Sequence, residues 1–239
     1  MVADALIQVT ALRKVFGAHL VLDGAHLTVH GGEAVALLGA NGAGKTTLLK
    51  IVATLVRPTR GTAQVAGFDC VREAERARPL LGLVAHGAHV YEDLTALENL
   101  RFWTTLNGLR ASAADLDKAL AQVELERAAT LRVRTFSQGM KRRLSLARIA
   151  LAQPRVLLLD EPFAGLDQRA KKWLSEQMEA FKARGGAILM VTHSFGRELS
   201  VADRIAILTA GRVALDTPRA SLSPDDIHKL YADHTEDVA

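Results

Sequence analysis

The 239 residues are 49% hydrophobic and 23% charged, carry a net charge of +4, and include one cysteine. A chain this long and this apolar can bury a sizeable core, which excludes a disordered or low-complexity protein. No uncharged apolar run reaches the ~20 residues that a membrane-spanning helix needs. At ~100–200 residues per domain the length fits one large domain or two small ones. The opening Met1–Lys14 lacks a basic leader and a long apolar stretch, so no secretory signal is expected. The lone Cys70 cannot form an internal disulfide, and a cytosolic location is the default expectation.

Taken in chain order, LIQVTAL, HLVL and LTVH alternate as half-buried strands, with turns expected at Asp23-Gly24 and His30–Glu33. AVALL is a continuous apolar run that suits a strand buried on both faces. From Gly44 the pattern becomes helical, with Leu48, Leu49, Val52 and Leu55 on one face until Arg57-Pro58. Arg72–Leu125 reads as mostly helix, broken near Gly82–Asp93 and at Asn107-Gly108. Two buried strands, VLLLD and AILMVT, follow, and IAILTAGRVALDT reads as a hairpin across Ala210-Gly211. Strands alternating with helices predict a mainly parallel α/β sheet, and the all-strand opening predicts an antiparallel appendage. No repeat or Gly/Ser linker marks a boundary, so residues 1–239 are expected to form one domain, with a helical part near 93–150 and an acidic tail near 222–239.

Charge is unevenly spread. Between Glu124 and Arg155 lie eight basic residues against two acidic ones, whereas five acids and one lysine follow Ser223. A basic stretch of this kind suits either a solvated helix face or an anionic partner.

Gly39-Ala40-Asn41-Gly42-Ala43-Gly44-Lys45-Thr46-Thr47 follows the AVALL strand and opens a helix, fitting the G-x-x-x-x-G-K-[ST] phosphate loop throughout. Glycines let successive N–H groups converge on phosphates, and the helix N-terminus adds partial positive charge. Lys45 would bridge the β- and γ-phosphates, and the Thr46 hydroxyl would hold Mg²⁺. The metal needs an acidic partner at the end of another buried strand, and Asp160 closes VLLLD. Glu161 comes next, placed to polarise a water for in-line attack on the γ-phosphate.

Between these motifs stands Phe136-Ser137-Gln138-Gly139-Met140 before the helix LSLARIAL; DEPFAGLD and Val191-Thr192-His193 follow. In order and spacing the set resembles the ATP-binding cassette family over nearly the whole chain. That resemblance implies a P-loop NTPase (RecA-like) core with an N-terminal antiparallel β subdomain and an inserted α-helical subdomain. It also implies a head-to-tail dimer with two ATP molecules between copies, Ser137 and Gly139 meeting the γ-phosphate held by the other copy. His193 would contact the γ-phosphate, Asp167 would lie in the loop joining the two sites, and Phe16 matches the aromatic that stacks on adenine. The implied partners are integral-membrane permease subunits, holding the chain peripherally at the cytoplasmic face of the membrane.

Two places depart from the family pattern. The usual L-S-G-G-Q has Gln138 and Met140 at its third and fifth places. The glutamine that usually senses metal and water is replaced by His86, a side chain that can also donate one hydrogen bond and accept another, but with a pKa near ~6.5. His86, followed by Tyr91–Trp103 and Asp160-Glu161-Pro162-Phe163, is similar to the ATPase of the bacterial haem exporter of cytochrome c maturation. Haem export is therefore the first expectation for the cargo, and export of another small molecule or drug the runner-up. A DNA-associated cassette ATPase is the remote alternative: no long coiled coil is evident, one cysteine cannot build a four-Cys zinc site, and no nucleic-acid partner is expected.

Overall fold

The computed structural model describes residues 4–84, 90–193, 195 and 197–235. In chain order the first half runs β1 (Ala5–Phe16), β2 (His19–His30), β3 (Ala34–Leu38), α1 (Lys45–Val52), β4 (Arg60–Val65), β5 (Phe68–Asp69), α2 (Ala74–Ala77) and β6 (Leu81–Val84). Then follow α3 (Ala96–Leu106), α4 (Ala113–Gln122), α5 (Gln138–Ala152), β7 (Val156–Asp160), α6 (Gln168–Ala183), β8 (Ala187–Val191), β9 (Arg204–Thr209), β10 (Arg212–Pro218) and α7 (Pro224–Thr235).

The strands form two sheets, an antiparallel one of order β2-β1-β4-β5 and a six-stranded one of order β10-β9-β3-β8-β7-β6. In the second sheet every pairing is parallel except β9 with β10. β3 lies in the interior of that sheet and explains its unbroken apolar run. Val35 and Leu37 pack towards α1 and the antiparallel sheet, while Ala36 and Leu38 pack towards α6 and β9. With both faces covered, alternation has no reason to appear. A third cluster, with Leu100, Leu116, Leu120, Val133, Phe136 and Leu144, holds α3, α4 and α5 together. Thr95 and Ser112 cap α3 and α4, each bonding the backbone N–H three residues on while Glu98 or Asp115 reaches back.

Several local expectations change. Asp23-Gly24 lies inside β2, and the chain turns at Gly17-Ala18 instead. The helix after the phosphate loop stops at Val52, leaving Leu55 63% exposed. The segment at Gly82 is a strand, because Leu81–Val84 pairs with β7. Within the acidic tail, Pro224–Thr235 form helix α7, which buries Ile227 beneath β9 and packs on Phe195 through His228 and Tyr231, with ring centroids 4.5 and 4.7 Å apart.

Part of the basic stretch is paired within the chain. Lys141 pairs with Glu92 at 2.5 Å, Arg143 with Glu124 at 3.1 Å, and Arg134 with Asp93 at 3.9 Å. Arg142 is buried, and the half-buried Arg148 lies 5.9 Å from the Trp103 ring.

Candidate nucleotide site

At the end of β3 the chain must bend sharply beside β9, and Gly39 makes this possible. Its φ is +152°, and a Cβ there would sit 2.3 Å from the Leu208 carbonyl oxygen. Gly44, at φ +104°, caps α1, where a Cβ would press on Leu22 and the Val21 carbonyl at 2.8 Å. The loop between them carries Ala40, Asn41, Gly42 and Ala43, and Lys45, Thr46 and Thr47 form the first turn of α1.

Lys45 is 8% exposed and donates to the carbonyl oxygens of Gly39 (2.6 Å) and Ala40 (2.9 Å). Burial pushes its pKa below the ordinary lysine value, while Glu161 and Asp160 pull it back up. The ammonium thus closes the loop on itself, with its charge aimed into a pocket of about 600 Å³ that Phe16, Asn41, Asp160, Glu161 and His193 also line.

The Thr46 hydroxyl donates to Asp160 Oδ2 at 3.3 Å. Two adjacent ligands of an octahedral Mg²⁺, each at ~2.1 Å, stand about 3.0 Å apart, so this pair fits a small hard cation without rearrangement. Among the described residues no group of three or more His, Cys, Asp or Glu converges.

Glu161 sits just beyond β7 with φ +50°, a left-handed conformation that costs a non-glycine residue ~1–2 kcal/mol. Its N–H donates to the Val191 carbonyl at 2.9 Å, and its carboxylate accepts from the Thr192 hydroxyl at 3.2 Å. The other carboxylate oxygen lies 2.8 Å from His193 Nδ1. One nitrogen of Arg142 donates to the carbonyls of Asp160 (3.2 Å) and Glu161 (2.9 Å). Burial lowers the Arg142 pKa, with Asp160 and Glu161 opposing the shift.

Phe16, 46% exposed at the end of β1, stands at the pocket rim with the Lys14 ammonium 4.4 Å from its ring centre. It is not a core residue, and its exposure leaves ring surface for a flat ligand.

Ser137, Gly139 and Asp167 do not line this pocket. Ser137 caps α5 by accepting from the Met140 N–H at 3.2 Å, and Asp167 caps α6 by accepting from the Ala170 N–H at 2.8 Å. Both are exposed, so each helix N-terminus points to solvent. His86 lies outside the described residues. Arg142 is the site residue that sequence reasoning passed over; its signal was the three- and four-residue spacing that puts Arg142, Ser145 and Ile149 on one buried face. A larger groove of about 810 Å³ between α5 and α6 is lined by Leu146, Ile149, Trp173, Met178 and Phe181, and none of the phosphate-loop residues reaches it.

Residues 22–164 match the model of the ABC transporter family, more than half of the chain. The chain belongs to the ABC transporter family. Within it, this ATP-binding subunit is 38% identical over 213 residues to the daunorubicin resistance ATP-binding protein DrrA3 of Streptomyces coeruleorubidus, covering 88% of this chain and 67% of that protein. It is 33% identical to the Nod factor export ATP-binding protein I of Cupriavidus metallidurans, covering 97% of this chain and 78% of the relative. Among solved structures, the ATP-binding subunit of an ABC transporter superposes with a TM-score of 0.81 at 32% identity, over 97% of this chain and 96% of that one. An ATP-binding cassette in a dimeric post-hydrolysis state with ADP and Pi shares the fold, at a TM-score of 0.79 and 24% identity, over 89% of this chain and 98% of that one.

Proposed function

We propose that this chain is the ATP-hydrolysing subunit of an exporter of small molecules, working as two copies that enclose two nucleotides and drive separate permease subunits. The observation that carries the reading is the pocket itself, where Lys45, the Thr46–Asp160 pair and the Glu161–His193 pair meet. ATP phosphates would displace the Gly39 and Ala40 carbonyls from Lys45, exchanging weak neutral acceptors for charged ones. Thr46 and Asp160 would hold Mg²⁺, which would neutralise negative charge on the phosphates. Glu161 orients a water and takes its proton as the water oxygen attacks the γ-phosphorus and the bond to the ADP oxygen breaks. His193 then turns its ring to the γ-phosphate oxygens, the 2.8 Å contact with Glu161 keeping it beside the reaction. Ser137 and Gly139 of the second copy complete the site from the opposite side.

The relatives named for drug resistance and for export favour a small-molecule or drug exporter. The haem expectation rests on His86, the Tyr91–Trp103 stretch and Asp160-Glu161-Pro162-Phe163, and it takes second place. No helix among the described residues is long and apolar enough to cross a membrane. Attachment would therefore come from permease subunits on the face beside α3, where Tyr91 and Phe102 are exposed and meet edge to face at 4.8 Å. Buried Asn99 fixes that surface, bonding the Tyr91 N–H at 2.8 Å and the Tyr91 and Thr95 carbonyls at 2.9 Å.

Glu161→Gln tests the chemistry: ATP binding is retained while hydrolysis falls at least about 100-fold. Near-normal hydrolysis would show that Glu161 is not the base. Inside-out vesicles holding the subunit with its permease test the cargo, with ATP-dependent uptake of an anthracycline expected and uptake of haem alone overturning the assignment.

A further inference from the structure

We propose that Arg142 is a positioning residue for the reaction, fixing the direction of the Glu161 side chain by gripping the two peptide groups on either side of its Cα. The proposal rests on the reading of Glu161 as the base. The Asp160 carbonyl belongs to the peptide before Glu161 and the Glu161 carbonyl to the peptide after it. A single Arg142 nitrogen lies 3.2 Å from the first and 2.9 Å from the second. That nitrogen carries two hydrogens, one for each oxygen. Holding both peptides to one point constrains φ and ψ of Glu161 together, and these torsions decide where its carboxylate points.

Glu161 needs such a constraint. Its φ of +50° is one that a non-glycine residue leaves readily unless its surroundings determine it. The N–H bond to Val191 holds one end of the residue, and Arg142 holds the other. Arg142 is 8% exposed, which limits competition from water for the two carbonyls.

The grip comes from α5, the helix that Ser137 caps five residues earlier. The preceding residue, Lys141, pairs with Glu92 in the loop ahead of α3. One turn of α5 therefore touches the base on one side and the loop before α3 on the other, so a rotation of α5 moves the Glu161 carboxylate.

Arg142→Met keeps length and apolar stem but removes both donors, and Arg142→Lys keeps the charge without the planar pair of N–H groups. ATP affinity, read by titration of a fluorescent analogue, stays within about twofold for both, because the phosphate loop is untouched. Turnover per folded molecule falls about 100-fold in Arg142→Met and about 10-fold in Arg142→Lys, the loss expected when a reacting group is displaced by about 1 Å. If Arg142→Met does not fold, Arg142→Lys decides alone.

Adding Arg142→Met to Glu161→Gln lowers turnover no further, because the group being positioned is already gone. Turnover within twofold of the parent, or an affinity loss matching the turnover loss, would overturn the proposal. A Glu161→Gln variant that still hydrolyses ATP would instead remove the reading of Glu161, so the two failures are distinguishable.

Discussion

The two helix N-termini that resemble phosphate-binding motifs differ in how complete they are. At α1 one chain brings most of a site together: the ammonium of Lys45 is buried, Thr46 already touches Asp160, and Glu161 and His193 stand opposite. At α5 the Ser137 hydroxyl serves as a cap and the surface beyond is open. A solvent-facing helix start with no acid in its first turn favours an anion. Since the phosphate pocket of the same chain lies elsewhere, the difference fits the proposal that one copy carries a nearly finished half-site and lends its α5 end to another.

Removing the buried charge breaks the finished half most severely. Lys45→Ala should weaken ATP binding about 100-fold or more, measured with a fluorescent nucleotide, because a charged contact is replaced by none. Ser137→Arg should leave that binding within about twofold but lower turnover about 100-fold, since only the orphan end is altered. Equal loss of affinity in both variants would erase the distinction.

Glycines sharpen the same contrast on the stability side. Gly39→Ala places a methyl 2.3 Å from the Leu208 oxygen at φ +152°, and should cost about 3 kcal/mol in urea unfolding. Gly139→Ala meets nothing closer than 3.8 Å and should change stability by less than about 0.5 kcal/mol. Comparable losses at both positions would mean that the α5 end is as tightly built as the loop.

A smaller effect concerns Cys70, packed in the core beneath α1 with its thiol 3.5 Å from the Val52 carbonyl. Burial, then the charge of Asp69, pushes its pKa up to about 12. With the folded value above the unfolded one, its contribution to stability is full below about pH 9 and is lost as pH rises towards 12. At pH 8 the thiol should resist disulfide reagents until the core opens. Rapid labelling of native protein would contradict that.

Much of this was legible in the sequence because the features are local. The phosphate loop, VLLLD ending in Asp160, and the hairpin across Ala210-Gly211 each carry their own signal within about a dozen residues. The fold class followed from strand and helix alternation. β6 was illegible because Leu81–Val84 becomes a strand only when β7 lies beside it. The unbroken length of β1 was hidden by irregular register, with Ala11 at φ +47° interrupting the alternation. The spacing of Arg142 with Ser145 and Ile149 marked it as buried but not as a site residue, because only the tertiary fold brings α5 under the end of β7. The pairing of Lys141 was hidden for the same reason, since Glu92 lies outside the basic run, in the loop before α3.

The central claim is that the α5 end of one copy completes the α1 site of another, and sedimentation velocity tests it directly. Glu161→Gln with Mg·ATP should sediment as a dimer. Glu161→Gln combined with Ser137→Arg should bind ATP equally well and remain a monomer. A doubly substituted chain that still dimerises with ATP, or a single Glu161→Gln variant that binds ATP and stays monomeric, would contradict the account.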